Sequence, residues 1–89
     1  MIIRQTTKFK KDLKRYKNNI GIIAKLNAII RKLMMSEDIP SCYRPHRLNG
    51  DYKNYMECHL ENDVLLVWWD KEVGTITLVR LGTHSELFK

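Results

Sequence analysis

The clearest structural pattern in this chain lies in residues 55–81, YMECHLENDVLLVWWDKEVGTITLVRL. From Tyr55 to Leu60 apolar and polar side chains alternate, which is the period of a β-strand. Val64 to Trp69 is a continuous apolar run, and Thr75 to Leu81 is rich in β-branched residues. Short polar segments separate the three runs, as in tight turns. The stretch therefore predicts a three-stranded antiparallel meander.

The residues before this meander predict a strand and two helices. Ile2 to Gln5 is a β-branched run, and the Thr6-Thr7 pair can cap a helix that begins near Lys8. A second amphipathic pattern runs from Ile22 to about Met35, and residues 41–53 read as a polar loop. The order strand, two helices, three strands predicts an α+β domain. We expect a helical hairpin packed on a small, mostly antiparallel four-stranded sheet.

Length and composition predict one domain over residues 1–89, with 44% hydrophobic and 29% charged residues. The longest apolar run, Val64 to Trp69, is far shorter than the roughly 20 residues that cross a bilayer, and the N-terminus lacks the apolar stretch of a signal peptide. We therefore expect a cytoplasmic protein with no membrane partner. Cys42 and Cys58 fit neither a disulfide framework nor a paired-cysteine metal site, and Cys58 is expected to be buried.

Positive charge is concentrated in the first third of the chain. Residues 1–35 hold ten Lys or Arg and one acidic residue, whereas residues 55–89 hold three and six. Such a one-sided field attracts a polyanion, so nucleic acid or an anionic membrane surface are the partners to consider. A solvated helix face that keeps the protein soluble is the alternative interpretation.

All three histidines, His46, His59 and His84, lie at predicted boundaries between loop and strand. Histidine gives or takes a proton near neutral pH, so the three indicate acid-base chemistry, although each alone is typical of an ordinary hydrogen-bonded residue. A zinc site formed by the three histidines with Asp63 is the alternative, since a three-histidine site with an open position is a known catalytic arrangement. No HxxxH or HxH spacing supports that alternative, so we predict no metal and no cofactor.

Cationic and aromatic residues are interleaved with the histidines. This mixture is typical of RNA recognition, because aromatic rings stack on unpaired bases and Arg or Lys bind phosphates. The residues concerned are Tyr43, Arg44, Arg47, Tyr52, Lys53, Tyr55 and Arg80.

Four ordered blocks of sequence resemble one known family. They are HRLNGDY at 46–52, YMECHL at 55–60, Asp63 before the apolar run, and RLGTHSELF at 80–88. The pattern, which covers about half the chain, resembles the YafQ-like branch of the RelE superfamily of bacterial toxins. The resemblance implies the RelE-like order β-α-α-β-β-β.

The resemblance also implies an activity and a site. YafQ-like toxins belong to type II toxin-antitoxin pairs and cleave messenger RNA in the ribosomal A site without a metal. It implies a cleavage centre at His46, His59, Asp63 and His84, with Phe88 helping to position it. We expect His84 to be the general acid, His46 or His59 the base, with these labels open to exchange, and Asp63 the group that orients an imidazole.

One departure from the family pattern concerns the phosphate. Met56 stands where the family often has Arg. We therefore expect Arg80, or the loop cations Arg44 and Arg47, to hold the phosphate; a salt bridge to a glutamate is the alternative for Arg80. Tyr52 and Lys53 are further candidates for RNA contact.

The resemblance implies further binding partners and leaves alternative functions open. It implies an antitoxin encoded by the neighbouring gene, acidic where it meets the toxin, and contact of the basic first helix with ribosomal RNA through Lys10, Lys11 and Lys14. The wider superfamily includes ParE-like toxins directed at gyrase, so a gyrase-directed toxin or a non-catalytic RNA-binding module remains the alternative.

Overall fold

The computed structural model describes residues 1–88 as three helices and five strands, with two short 3₁₀ turns at Ser41–Tyr43 and Gly50–Tyr52. The helices are α1 Thr7–Tyr16, α2 Ile20–Met34 and α3 His84–Leu87. The strands are β1 Ile2–Gln5, β2 His46–Arg47, β3 Tyr55–Glu61, β4 Val64–Trp69 and β5 Thr75–Gly82. The predicted α+β class and the three-stranded meander are confirmed.

The strands form a single sheet in the order β1-β5-β4-β3-β2. β1 is parallel to β5, and every other pair is antiparallel. The sheet has five strands rather than the expected four, because the predicted loop contributes β2, whose His46 and Arg47 pair with Glu57 and Met56. A strand of two residues is too short to show a period of two, which is why the sequence pattern did not predict it.

Side-chain caps define where both long helices begin. The Thr6 hydroxyl accepts a hydrogen bond from the backbone N–H of Phe9 at 3.0 Å and so caps α1. The Asn19 side chain accepts from the N–H of Ile22 at 3.1 Å, which sets the start of α2 at Ile20, two residues before the predicted start. Both helices are thus encoded locally.

The helices pack on one face of the sheet. Helical residues Phe9, Ile22, Leu26 and Ile29 and strand residues Cys58, Leu60, Leu66, Trp68, Leu78 and Leu81 form this core. Trp68 is 2% exposed and its neighbour Trp69 is 44% exposed, as alternation along a buried strand predicts. Burial, followed by the charge of the adjacent Glu57, raises the pKa of the Cys58 thiol to about 12.

Within residues 1–88, none of the helices has the length and apolar character that would be needed to span a bilayer.

Candidate active site

The sheet face turned away from the helices carries two rows of cross-strand partners. One row is His46, Glu57, Val67 and Arg80, and the next is His59, Leu65 and Gly82. Residues directly opposite each other on neighbouring strands share a face, so strand pairing brings two of the predicted histidines together. The site is therefore built on rigid strands.

Glu57 lies between these two histidines. Its Oε1 is 3.2 Å from Nε2 of His46 and 3.8 Å from Nε2 of His59, and the two imidazole rings are 6.2 Å apart between centroids. Glu57 is only 3% exposed, and its other oxygen, Oε2, is buried without a hydrogen-bond partner among the described residues. Sequence reasoning did not assign Glu57 a role, although its position two residues before His59 on one strand face was a signal for it.

Arg44 holds both histidines from the loop that precedes β2. Its backbone is left-handed, with φ 48°, a conformation that is uncommon for a residue with a side chain. Nδ1 of His46 donates to the Arg44 carbonyl at 2.9 Å, and the Arg44 guanidinium donates to Nδ1 of His59 at 3.3 Å. Because a carbonyl only accepts and a guanidinium only donates, His46 carries a proton on Nδ1 and His59 carries its proton on Nε2.

His84 belongs to a second group of side chains, with Phe88 and Tyr52. The rings of His84 and Phe88 are 5.2 Å apart, and Tyr52 meets Phe88 edge to face at 5.5 Å. Phe88 and Tyr52 also line a cavity of about 200 Å³ whose wall includes Val67 and Arg80. Phe88 thus joins His84 to the 3₁₀ turn that carries Tyr52, and its positioning role stays a prediction.

The two groups of side chains flank the centre of the open sheet face. Gly82 is aligned with His59 across the intervening strand β4, and His84 follows two residues later. Two strand spacings amount to roughly 10 Å. Leu65 and Val67 of β4, which lie between the two groups in the strand register, are buried. Titratable groups therefore lie on both sides of β4, and we call the surface between them the groove.

Asp63 contacts the backbone of His84 instead of an imidazole. The N–H of His84 donates to Oδ1 of Asp63 at 3.3 Å, where helix α3 begins. The expectation that Asp63 orients an imidazole ring is thus corrected: the carboxylate in contact with imidazoles is that of Glu57. Asp63 sits in the turn between β3 and β4, which lies beside the end of β5 and so reaches a backbone donor there.

Hydrogen bonds of Glu86 hold helix α3, which carries His84, against α1. The Glu86 carboxylate accepts hydrogen bonds from Thr83 N–H at 2.8 Å, from the Tyr16 hydroxyl at 2.9 Å and from the Arg15 guanidinium at 2.7 Å. These bonds, the Thr83 N–H first, lower the pKa of Glu86 to about 2. Burial, and then the same carboxylate, raises the pKa of Tyr16 to about 12. A Cβ at Gly82 would lie 2.7 Å from Oε1 of Glu86, so the hydrogen bonds of Glu86 require glycine at position 82.

Arg80 forms a salt bridge, although to an aspartate and not to a glutamate. Its Nε and one terminal nitrogen donate to Asp12 at 2.7 and 3.2 Å, and this contact raises the pKa of Arg80. Asp12, which is 1% exposed, also accepts from the backbone N–H of Leu81 at 3.0 Å. β1 pairs only with the first half of β5, so the edge of the second half of β5 is free. Helix α1 covers that edge, where its Asp12 accepts the hydrogen bond of the Leu81 N–H.

Met56 and Arg47 lie opposite each other on the face that is turned away from the histidine cluster. Met56 packs against the core. The lack of the family's arginine at position 56 therefore leaves no empty space beside His46 and His59. Arg47 contacts Asp70 at 3.5 Å. Arg47, expected to hold the phosphate, therefore lies on the sheet face opposite to His46, because successive residues of a strand point to opposite faces.

The other predicted cations are exposed. Lys10, Lys11 and Lys14 lie on the outer side of α1, and Lys53 directly follows the second 3₁₀ turn.

One cluster of described residues has the composition of a metal site. His46, Glu57 and His59 each offer a ligand atom, and these atoms lie within 4.8 Å of one another. Sequence spacing gave no indication of it, because the pairing of β2 with β3 brings His46 to the other two ligands.

Comparison with known proteins identifies the family of this chain. The model of the family described as bacterial toxin of type II toxin-antitoxin system, YafQ, matches residues 1–89. This chain belongs to the YafQ family. The mRNA interferase toxin YafQ of Escherichia coli K12 is 29% identical, with 97% of this chain and 94% of that protein covered.

Solved structures of YafQ relatives share the fold. A metal-bound toxin from Helicobacter pylori is 39% identical over 99% of both chains, with a TM-score of 0.88. A structure of the Escherichia coli DinJ-YafQ complex is 27% identical, covers 98% of this chain and 97% of that one, and has a TM-score of 0.85. The resemblance in the four sequence blocks to YafQ-like toxins is confirmed.

Proposed function

We propose that this YafQ-family toxin is a metal-independent endoribonuclease that cleaves messenger RNA on the ribosome and thereby inhibits translation. The observation that carries the proposal is the placement of two histidine groups, His46 with His59 and His84 with Phe88, on either side of one groove on the open sheet face. Metal-free RNA cleavage needs a proton acceptor and a proton donor on opposite sides of the scissile phosphodiester. The groove offers both.

The reaction uses the substrate's own 2′-hydroxyl. A base removes its proton, the 2′-oxygen bonds to phosphorus, and the bond from phosphorus to the 5′-oxygen breaks as an acid protonates the leaving oxygen. The products are a 2′,3′-cyclic phosphate and a 5′-hydroxyl; the base has gained one proton and the acid has lost one. Each positioned acid or base typically contributes about 10²- to 10⁴-fold in rate, so the pair supplies roughly 5 to 11 kcal/mol.

The residues divide into an acceptor side and a donor side. His46 or His59 removes the 2′-proton, and the Glu57 carboxylate beside both rings stabilises the imidazolium that results. His84 protonates the 5′-oxygen, and Asp63 and Phe88 hold its backbone and ring in place. Glu57 thus takes the role first expected of Asp63.

Cations and aromatic rings around the groove bind the RNA itself. Arg44 reaches the acceptor side. Arg80, whose Nε and one terminal nitrogen bind Asp12, lines the cavity next to Phe88. Tyr52, 49% exposed, offers a ring on which a base can stack, and Lys53 follows it. Guanidinium groups so placed stabilise the charge of the phosphorane.

The basic face of α1 supports contact with the ribosome. Lys10, Lys11 and Lys14 are exposed there and belong to a surface separate from the groove, so they can bind ribosomal RNA while the groove holds the message. A protein that acts on ribosome-bound message works in the cytoplasm.

An antitoxin is the second partner we propose. The relative from Escherichia coli has been crystallised as a complex with DinJ. The net charge of +6 on this chain favours an acidic contacting segment in the antitoxin. We propose that the neighbouring gene encodes this antitoxin and that the segment folds on binding. Co-expression with a tag on the toxin alone tests this, since the neighbouring gene's product should copurify at low salt and high salt should weaken the complex.

Induced expression followed by mapping of messenger 5′ ends tests the proposed function. The wild-type chain should create new 5′ ends within translated messages and arrest growth. His84→Ala should do neither while keeping its fold and its antitoxin binding, and Ser85→Ala, an exposed neighbour on the same short helix, should behave like wild type. Arrest that survives His84→Ala, or DNA damage with intact messages, would favour a gyrase-directed toxin or a non-catalytic binder instead.

A further inference from the structure

The cluster of His46, Glu57 and His59 has a composition that also suits a transition-metal ion. Its ligand atoms, two imidazole nitrogens and a carboxylate oxygen, lie within 4.8 Å of one another. Such mixed sites suit zinc, copper or nickel better than magnesium or calcium, which prefer oxygen ligands. The three residues are held by two paired strands, so the cluster is formed before any ion arrives.

A second observation points to a cation in this cluster. Oε2 of Glu57 is buried and has no partner among the described residues, and the side chain is 4% exposed. A buried oxygen without a donor costs free energy, and native proteins rarely leave one in that condition. A metal ion beside Oε1, the oxygen that faces both histidines, would neutralise the buried carboxylate to which Oε2 belongs.

His46 is oriented as a metal ligand. Its Nδ1 donates to the backbone carbonyl of Arg44 at 2.9 Å, which leaves the lone pair of the neutral ring on Nε2, directed at Glu57. A lone pair 3.2 Å from a carboxylate oxygen is repulsive unless a proton or a cation lies between them. Histidine ligands to metals commonly donate their second nitrogen to a carbonyl in this way.

His59 can bind the ion through Nε2 only after the proton of its ring moves. Its Nδ1 accepts from Arg44, so its proton is on Nε2, the nitrogen nearer to Glu57. Metal binding through Nε2 moves that proton to Nδ1 and breaks the bond to Arg44, whose side chain is exposed and can swing away. The same ion thus displaces a candidate phosphate-binding cation.

We propose that Zn²⁺ or a similar borderline divalent ion binds at His46, Glu57 and His59, with water completing its coordination, and that the bound ion inhibits RNA cleavage. The ion occupies the imidazole lone pairs that proton removal requires. The binding half of the proposal stands on the cluster alone, and the inhibitory half rests on the proposed ribonuclease function.

Calorimetric titration of the metal-free full chain with zinc chloride tests the binding half. We expect one ion per chain, and a loss of affinity of about 10-fold or more in each of His46→Ala, Glu57→Gln and His59→Ala. His84→Ala is the matched control, because it removes a histidine outside the cluster, and it should bind zinc as the wild type does. Absence of one-to-one binding, or binding that survives all three cluster variants, would overturn the site.

Cleavage of ribosome-bound message tests the inhibitory half. The rate should fall in proportion to zinc occupancy and recover when a zinc-selective chelator, which leaves magnesium for the ribosome, is added. Zinc that accelerates cleavage would overturn the inhibitory role. A chain that binds zinc at this cluster but never cleaves RNA with the chelator present would support the site and overturn both the proposed function and the inhibition that depends on it.

Discussion

Oε1 of Glu57 lies 3.2 Å from Nε2 of His46, while Oε2 of the same carboxylate is buried and without a partner among the described residues. A buried charge held beside two histidines has a cost in folding free energy, which is acceptable where function requires it. This relationship makes Glu57 the centre of the acceptor side of the groove.

Replacing Glu57 should therefore separate activity from stability. Glu57→Gln keeps the shape of the side chain but removes the charge that stabilises an imidazolium, so we expect cleavage to fall about 10²- to 10³-fold. Its thermal midpoint should be unchanged or higher, because no buried charge remains. Glu61→Gln, which alters an exposed glutamate on the same strand, is the control. Single-turnover cleavage that is equal in Glu57→Gln and wild type would remove Glu57 from the mechanism.

Met56 gives a second prediction, because it faces the core and not the groove. Restoring the family's arginine as Met56→Arg should destabilise the fold by about 1 to 3 kcal/mol through burial of a charged group. The cleavage rate of the folded fraction should not rise. Met34→Arg is the matched control, since Met34 is 48% exposed, and urea unfolding measures both. Faster cleavage with unchanged stability would show that residue 56 reaches the substrate.

The hydrogen bonds by which Glu86 holds α3 predict that stability depends on pH. Its pKa is lowered from 4.5 to about 2, so its contribution to stability is fully present above pH 4.5 and is lost as the pH falls toward 2. The thermal midpoint of Glu86→Gln should lie below that of wild type above pH 4.5, and the gap should close on acidification. Circular dichroism melts measure this, with Glu72→Gln in an exposed turn as control. A gap that is constant with pH would mean that Glu86 does not act through its charge.

The basic face of α1 predicts a salt dependence. Changing Lys10, Lys11 and Lys14 to Gln should weaken ribosome binding and lower the slope of log affinity against log salt concentration by about 2. A control with the same net charge changes Lys25, Lys32 and Lys71, which lie outside α1. Filter binding over a range of salt concentrations measures both slopes. Equal slopes for the two triple variants would place the ribosome contact elsewhere.

The sequence predicted the elements that show a clear period. The meander and both long helices follow from alternation and helical spacing over six residues or more, and the caps at Thr6 and Asn19 are local. β2 was not predicted, because two residues cannot show a period. Its pairing with β3 depends on a tertiary contact.

The site was predictable only in part for the same reason. His46, His59 and His84 were candidates from residue type and position, but the contact of His46 with Glu57 depends on strand register. Asp12 was also missed as the partner of Arg80. A signal existed, since Asp12 is the lone acid of a basic helix and lies three residues after Phe9, on its buried side.

Attack by the 2′-hydroxyl is best tested with ribosome-bound messages that carry one 2′-deoxyribose just before the mapped scissile phosphate. If histidines drive attack by the 2′-hydroxyl, the purified wild-type chain should cut the all-ribose message at that position and leave a 2′,3′-cyclic phosphate, and it should leave the deoxy message uncut there. Equal cleavage of the two messages would contradict the account.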